Sequence, residues 1–457
     1  MRALIVDDEP TVRSFIATIL KSDDWEVEEA NSAEAAFEKL KEKDWNLICC
    51  DVVMGGLDGY SALRHFRETM PEARVILMTG YGTAAGAFSA AAGGAFDYLL
   101  KPFTPDALQS LARDVKESFN SRPRCLSAQQ MPYIASLASE SELVGSSEAF
   151  IEVMKQVGKV AMTNLPVLIM GESGTGKEVV ARALHRRSER TSKPFVAINC
   201  GAISAELIES ELFGHIRGSF TGADKDRAGL FEEADGGTAF LDEITETSPT
   251  FQVKLLRTLQ ENEIRRVGSN RTQRIDVRVI AASNRNIEDE IQARRFRQDL
   301  YYRLNTFNIN LPPLRERVSD IVTLVHHFAK LYKNKNAPVS FEPQTIELLE
   351  KYPWPGNIRE LENAIRRAVA LCKGIVRPED LPERIREYRL TEVVNDEVMK
   401  TNTEEKPENE WFSLAQVEGQ YVKSVLQYTG NNKQRAARIL QVDRKTLDRM
   451  IQRHKIE

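Results

Sequence analysis

At 457 residues, 42% of them hydrophobic, the chain is long enough for about three domains, each with its own core. A net charge of −5 excludes a uniformly basic nucleic-acid coat, so any contact with DNA must be a local patch. Cys49, Cys50, Cys125, Cys200 and Cys372 form no C-x-x-C pair, the histidines show no metal-ligand spacing, and no apolar run is long enough to cross a bilayer. A reduced, cytoplasmic chain with no membrane partner is expected. The opening Met1-Arg2-Ala3-Leu4-Ile5-Val6 reads as a strand running into Asp7-Asp8, not as a signal peptide.

Residues 1–120 alternate strands and helices. Leu4-Ile5-Val6 ends at Asp7-Asp8, Leu47 to Cys50 at Asp51, Val75 to Met78 at Thr79, and Asp97 to Leu100 at Lys101, with helical patterns such as Val12 to Leu20 and Ala33 to Leu40 between. That alternation predicts a parallel sheet with its ligand-binding edge at the carboxyl ends of the strands, where all these polar residues fall. Three carboxylates meeting at one edge repel unless a cation lies between them, and a site of oxygen ligands suits Mg²⁺. Asp51 is thus a candidate nucleophile for phosphoryl transfer, with Asp7 and Asp8 as metal ligands and Lys101 as electrostatic partner. The acidic pair, D-V-V-M at 51–54, M-T-G at 78–80 and D-Y-L-L-K-P-F at 97–103 resemble a flavodoxin-like response-regulator receiver. The resemblance implies that Asp51 takes phosphate from a sensor histidine kinase, that Thr79 and Tyr98 act as switch residues, and that the Lys101–Pro102 bond is cis. Gly55-Gly56 stands where a proline usually follows the methionine. Residues 121–140 break the periodicity and read as a linker.

In residues 141–388 an apolar strand, Pro166 to Met170, runs into Gly171-Glu172-Ser173-Gly174-Thr175-Gly176-Lys177-Glu178, followed by a helical pattern in Val179, Val180, Ala183 and Leu184. Strand, glycine-rich turn and helix form the context of a phosphate-binding loop, with ATP as ligand. Glycines let backbone N–H groups curl around phosphate, the helix start adds its positive end, and Lys177 supplies a point charge. Gly237 to Leu241 is a strand ending at Asp242-Glu243. There Asp242 can hold Mg²⁺ and Glu243 can orient and deprotonate the attacking water. Val277 to Ala282 is another strand, ending at Ser283-Asn284, where the amide can sense a γ-phosphate or position water. From about residue 315 the chain becomes helical, as a small lid would, and Arg359 can reach back to the nucleotide.

This block resembles the AAA+ ATPase of bacterial enhancer-binding proteins, the activators of sigma-54 RNA polymerase. Its specific mark is Gly218-Ser219-Phe220-Thr221-Gly222-Ala223 within E-S-E-L-F-G-H-I-R-G-S-F-T-G-A. The resemblance implies that this loop grips sigma-54, that Asn199 restrains the catalytic Glu243, and that Arg297 and Arg303 act as arginine fingers across subunits of a hexameric or heptameric ring. It also accounts for Glu178, since the family carries glutamate after the lysine. Ser219 replaces the usual alanine, and Ile216-Arg217 replaces a pair that usually begins with glutamate.

Residues 389–410 are polar and read as a tether. In residues 411–457, Leu414, Val417, Tyr421 and Val425 predict an amphipathic helix. Asn431-Asn432-Lys433 precedes a short helix with Ala436-Ala437, Asp443 is a plausible N-cap, and the last helix carries Arg444, Lys445, Arg449 and Arg453. Two helices across a tight turn, the second basic, describe a helix-turn-helix. The segment resembles the Fis-type domain that ends this family. The resemblance places Arg444, Lys445 and Arg449 in or near the major groove, with Lys433 and Arg453 meeting phosphates.

The expectation is a multidomain α/β protein with a flavodoxin-like receiver, an α/β AAA+ ATPase with helical lid, and an all-α helix-turn-helix. Its partners would be a histidine kinase, sigma-54 RNA polymerase, enhancer DNA and further copies of itself, as a dimer and an active ring. A phosphorylation-gated DNA-binding regulator with a vestigial motor is the alternative.

Overall fold

The computed structural model describes residues 1–120, 143–203, 205–220, 223–332, 339–372, 374–388, 414–429, 432–440 and 442–454. The two linkers of the sequence reading lie outside the described residues. The chain divides into two compact units, Met1–Arg386 and Glu387–Glu457.

The first unit opens with β1 (Arg2–Val6), α1 (Pro10–Ser22), β2 (Glu26–Ala30), α2 (Ala33–Leu40), β3 (Leu47–Asp51), α3 (Gly59–Thr69), β4 (Arg74–Thr79), α4 (Ala84–Ala92), β5 (Asp97–Leu100) and α5 (Pro105–Asn120). The strands pair in parallel in the order β2-β1-β3-β4-β5, so the reversal of strand order falls beside β1 and β3. That crevice holds Asp7 and Asp51, as the rule for open α/β sheets requires. The helices begin where short polar side chains cap them: Ser32, Asp58 and Thr83 accept the N–H groups of Ala35, Ser61 and Gly86. β2 is an edge strand that the sequence reading passed over. Its Glu-Val-Glu-Glu-Ala leaves only Ala30 fully buried.

The motor begins with α6 (Glu148–Ala161), β6 (Val167–Met170), α7 (Lys177–Arg186), β7 (Phe195–Asn199), α8 (Ala205–Phe213), α9 (Leu230–Glu233), β8 (Thr238–Asp242) and α10 (Pro249–Glu261). A hairpin, β9 (Glu263–Arg265) and β10 (Thr272–Arg274), precedes β11 (Arg278–Ser283), α11 (Ile287–Gln292), α12 (Gln298–Leu304) and β12 (Phe307–Asn310). Its parallel sheet runs β12-β6-β11-β8-β7, which sets the phosphate-loop strand between β11 and the edge. The lid follows as α13 (Val318–Tyr332), β13 (Ser340–Phe341), α14 (Pro343–Lys351), α15 (Asn357–Leu371) and β14 (Ile375–Val376).

Receiver and motor share one apolar core through α4 and α6. On α4, Ala84, Ala87, Phe88 and Ala90 are fully buried, and on α6 so are Met154 and Val157. The two backbones approach closely at Gly158, where an added Cβ would stand 2.6 Å from Ala91 Cβ and 2.6 Å from the Phe88 carbonyl oxygen. Polar bonds frame the contact. Ala84 N–H donates to the Gly145 carbonyl at 2.9 Å, Lys155 Nζ lies 2.7 Å from an Asp97 carboxylate oxygen, and Arg187 donates to Ser89 Oγ at 3.1 Å. α6 is itself anchored to the motor at both ends. Asp320 accepts the N–H groups of Ser146 and Ser147 and the Ser147 hydroxyl, while buried Arg278 donates to the carbonyls of Val160 and Ala161.

The second unit holds α16 (Leu414–Tyr428), α17 (Lys433–Ile439) and α18 (Arg444–Arg453). Its core joins Val422, Val425 and Leu426 to Ala436, Ala437 and Leu447. Tyr421, expected on the apolar face of α16, is exposed, because Val422 takes the inward position against α17 and α18. Asp443 is the N-cap of α18, accepting Thr446 N–H at 2.9 Å.

Candidate functional site

Two sites lie at the carboxyl edges of the two sheets. In the receiver, ligand oxygens of Asp7, Asp8 and Asp51 all fall within 4.8 Å of one another. Asp7 and Asp51 are buried, and Asp8 is exposed. Lys101 Nζ bridges them at 2.6 Å from Asp7 Oδ2 and 3.0 Å from Asp51 Oδ2. Burial raises the Asp51 carboxyl above the usual carboxylate range, against the opposing pull of Lys101. Burial also works against the Lys101 ammonium, but Asp7 and Asp51 outweigh it and hold that pKa above its ordinary value. One ammonium among three carboxylates leaves excess negative charge and unfilled oxygen lone pairs, a donor set that fits a hard divalent cation.

Beside it stand Thr79 and Tyr98, both buried. Tyr98 Oη lies 3.2 Å from Tyr60 Oη, and Thr79 Oγ1 accepts the Tyr81 N–H at 3.1 Å. Burial raises the Tyr98 phenol, with hydrogen bonds to Tyr60, Thr83 and Thr79 acting the other way. The two expected switch residues are therefore in contact beneath the start of α4. The Lys101–Pro102 peptide is cis. Gly56 has φ +115°, close to Glu34 Oε1, whose carboxylate accepts Leu57 N–H, so the Gly-Gly loop is tied to α2.

In the motor, Gly171, Gly174 and Gly176 all take positive φ, which allows the loop between β6 and α7 to curl. Lys177 Nζ is buried and donates to the carbonyls of Gly171 at 2.7 Å and Glu172 at 2.9 Å. Burial lowers its pKa, aided by Arg359, while Asp242 and Glu243 oppose the shift. The two carboxylates at the end of β8 are thus near enough to act on the charge of the loop lysine. Asp242 accepts Glu243 N–H at 2.9 Å, and Glu243 sits in left-handed backbone at φ +53°. The Glu243 carboxylate lies over Gly201, whose N–H donates to Asn199 Oδ1 at 2.9 Å, which brings Asn199 to the same corner. Arg359 donates to Ser173 Oγ at 3.0 Å. Thr175 Oγ1 donates to the Glu172 carbonyl at 2.9 Å, a bond internal to the loop. Glu178 points away to an exposed pair with Arg182. Asn284 lines a cavity of about 370 Å³ with Gly171, Glu172 and Tyr301.

Arg297 and Arg303 are not brought to this corner by their own chain. Arg297 forms an exposed bidentate pair with Asp299, and Arg303 donates to the Leu259 carbonyl at 2.7 Å. Of the six-residue loop, Thr221 and Gly222 lie outside the described residues. Its flanks are joined by Gly218 N–H donating to the Ala223 carbonyl at 2.9 Å, and Phe220 is partly exposed with its ring against His215 at 5.0 Å. Ser219 packs against Gly268 of the β9–β10 turn. In the second unit, Arg444, Lys445, Arg449 and Arg453 are exposed along α18. Lys433 pairs with Asp448 at 2.8 Å.

The comparisons with known proteins follow the same order along the chain. Residues 3–113 match the response regulator receiver domain, 143–310 the sigma-54 interaction domain, 315–397 an AAA+ ATPase lid domain, and 413–454 the bacterial regulatory proteins of the Fis family. The transcriptional regulatory protein ZraR of Klebsiella oxytoca is 43% identical over 447 residues, 97% of each chain. The chain belongs to the sigma-54-dependent response regulators. The regulatory protein AtoC of Escherichia coli K12 is 38% identical over 461 residues, covering 100% of this chain and 98% of its own. The crystal structure of NtrX from Brucella abortus matches at a TM-score of 0.52 and 30% identity over 100% of this chain and 99% of its own. A structure of that protein in complex with ATP matches at 0.50 and 30% identity. This response regulator is therefore a sigma-54 transcriptional activator with a receiver, an AAA+ ATPase and a DNA-binding domain. Among the described residues no helix is long and apolar enough to cross a membrane.

Sequence reasoning missed three residues that the structure brings to these sites. Arg315 forms a bidentate pair with Glu172, Asn357 binds the same carboxylate, and Lys155 holds Asp97 across the receiver contact. Trp354-Pro355-Gly356-Asn357 carried a signal, since an asparagine after Pro-Gly marks a position suited to left-handed backbone.

Proposed function

We propose that phosphorylation of Asp51 controls ATP turnover in the motor, and that turnover remodels the sigma-54 RNA polymerase closed complex at enhancer-bound promoters in the cytoplasm. The observation that carries this reading is the packing of α4 along α6. It joins the element that follows the Thr79 switch to a helix in contact with the phosphate-loop helix α7.

In the receiver, an Asp51 carboxylate oxygen forms the new bond to phosphorus as the P–N bond of a kinase phosphohistidine breaks. Asp7, Asp8 and Asp51 would hold Mg²⁺, whose contribution when bound is to draw charge from the phosphoryl oxygens. Lys101 would pair with the phosphoryl group once it arrives, with Thr79 and Tyr98 moving towards it. In the motor, Lys177 exchanges its two loop carbonyls for oxygens of ATP, held by the backbone of Gly171 to Lys177. Asp242 would hold Mg²⁺. Glu243 takes a proton from water as its oxygen attacks the γ-phosphorus and the bond from that phosphorus to the β–γ bridging oxygen breaks, releasing ADP and phosphate, with Asn199 setting the carboxylate's position and Asn284 sensing the γ-phosphate. Arg359 meets the nucleotide from the lid.

Arg297 and Arg303 act on the site of a neighbouring copy, so the working form is a ring. The exposure of Arg297, whose side chain pairs only with the neighbouring exposed Asp299 among the described residues, supports this. Gly218 to Ala223 carries the motor's stroke to sigma-54, and Arg444, Lys445 and Arg449 read DNA while Lys433 and Arg453 hold phosphates. The test is ATP turnover and open-complex formation by sigma-54 polymerase, with and without a small-molecule phosphodonor. Wild type responds to the donor and Asp51→Asn does not. Stable labelling of Asp51→Asn would remove the assignment.

A further inference from the structure

Helix α15 of the lid starts at an unusual residue. Asn357 is fully buried and sits in left-handed backbone at φ +52°. Its side-chain amide spends every polar atom on a different segment. Nδ2 donates to Glu172 Oε2 at 3.0 Å and to the Ser173 carbonyl at 3.1 Å, both in the phosphate loop. Oδ1 accepts Leu314 N–H at 2.8 Å, at the point where the sheet gives way to the lid. The next two lid residues continue the contact, since Ile358 N–H donates to the Gly174 carbonyl at 3.0 Å and Arg359 N–H points to the same oxygen at 3.4 Å. Arg315, from the same connection, closes the set by donating both terminal guanidinium nitrogens to Glu172 at 2.9 and 2.7 Å.

We infer that Asn357 is a positioning residue for ATP binding: it locks the lid to the phosphate loop through Glu172 and Ser173, and so fixes where Arg359 meets the nucleotide. Two donors and one acceptor in a buried place admit few substitutes. Aspartate tolerates the same backbone and keeps the acceptor for Leu314, but it has no N–H for the loop and sets a second carboxylate against Glu172. Lid and loop then separate while Asp242 and Glu243 stay in place. The cost falls on binding rather than on the chemical step.

The inference rests on the loop being the ATP site, so Lys177→Ala serves as the control. Turnover in Lys177→Ala equal to that of wild type would overturn that reading. Turnover that needs Lys177 but ignores Asn357 would overturn only this one. The experiment measures kcat and KM for ATP in the full chain for Asn357→Asp, Glu172→Gln and the pair. Asn357→Asp raises KM about tenfold, or ~1.4 kcal/mol, with kcat changed by less than about threefold. The double variant returns KM to within about threefold of wild type, because its loop amide can donate to the carboxylate introduced on the lid and restore the bond with reversed polarity. An unchanged KM in Asn357→Asp, or a double variant no better than the worse single one, overturns the inference. Should Asn357→Asp fail to fold, Asn357→Gly keeps the backbone conformation without the amide. A raised KM there supports the inference, and a second failure to fold makes the residue structural and overturns it.

Discussion

Gly158→Leu tests whether receiver and motor are held together by close approach of α4 and α6. At Gly158 even a Cβ would stand 2.6 Å from Ala91 Cβ and from the Phe88 carbonyl oxygen. Carbon contacts are comfortable at about 3.5–4.0 Å, so the helices must part by roughly 1 Å before the rest of the leucine is placed. Overpacking of this kind costs about 1–3 kcal/mol. α6 is tied to the motor at both ends by Asp320 and Arg278, so the yielding element is the receiver. That energy shifts the balance between docked and separated receiver by roughly 5- to 150-fold. The reporter is the Ala84 amide, whose hydrogen bond to the Gly145 carbonyl crosses the contact. Hydrogen exchange at Ala84 speeds up by that factor, while exchange within α6 stays slow. If control passes through the contact, turnover also ceases to respond to a phosphodonor. Unchanged protection of Ala84 in a protein that retains α6 would refute the close-packing argument.

Three further outcomes are expected. Asp320→Ala leaves Arg317 buried beside Phe150 without its partner, which costs about 3–5 kcal/mol. A thermal scan then shows the motor's midpoint lowered by roughly 10 °C. Inactive Arg303→Ala and Glu243→Gln proteins, when mixed, regain turnover at interfaces that join an intact arginine to an intact glutamate, and concentration-independent turnover by a monomer would contradict a site shared between subunits. Thr221→Ala keeps most ATPase activity and DNA binding but loses open-complex formation, and loss of ATPase instead would make Thr221 structural or catalytic.

Local chemistry decides which parts of this fold can be read from the chain. β1, β3 and β4 are apolar runs that end at Asp7, Asp51 and Thr79, so each strand announces both its burial and the end that faces the candidate site. β2 does not, because an edge strand covered on one side can carry Glu26, Glu28 and Glu29 towards solvent and towards Arg2, Arg13 and Lys39. The loop glycines, Lys177 and the pair Asp242-Glu243 are legible for the same reason as Asp51: each stands at the end of a buried strand. Asn357 was not, since its role depends on contacts 185 residues away with Glu172 that no spacing encodes. Tyr421 shows the converse. Its spacing matched an apolar face, but a helix tolerates an apolar residue at the edge of its stripe, and Val422 is the one buried in the core with Leu447.

The contact between receiver and motor did leave a trace in composition. α4 reads Ala-Ala-Gly-Ala-Phe-Ser-Ala-Ala-Ala and has no charged residue at all. A surface helix on an open α/β sheet needs a polar side for water, as α3 has in Arg64, Arg67 and Glu68. A helix without one must be covered on both faces, and in this protein β5 covers one and α6 the other. Small side chains are what the second face requires, since Gly158 and Ala91 meet nearly backbone to backbone. The charges near this helix come from its neighbours, as Asp97 with Lys155 and as Arg187, which donates to the buried Ser89 of α4 itself. This arrangement gives the receiver a docking face that binds by shape and is oriented by three polar contacts. A shape-based contact over small residues responds steeply to displacement, because a gap of about 0.5–1 Å forfeits a quarter to a half of the dispersion energy. Small movements of α4 beside Thr79 and Tyr98 are therefore sufficient to change how firmly the receiver rests on the motor.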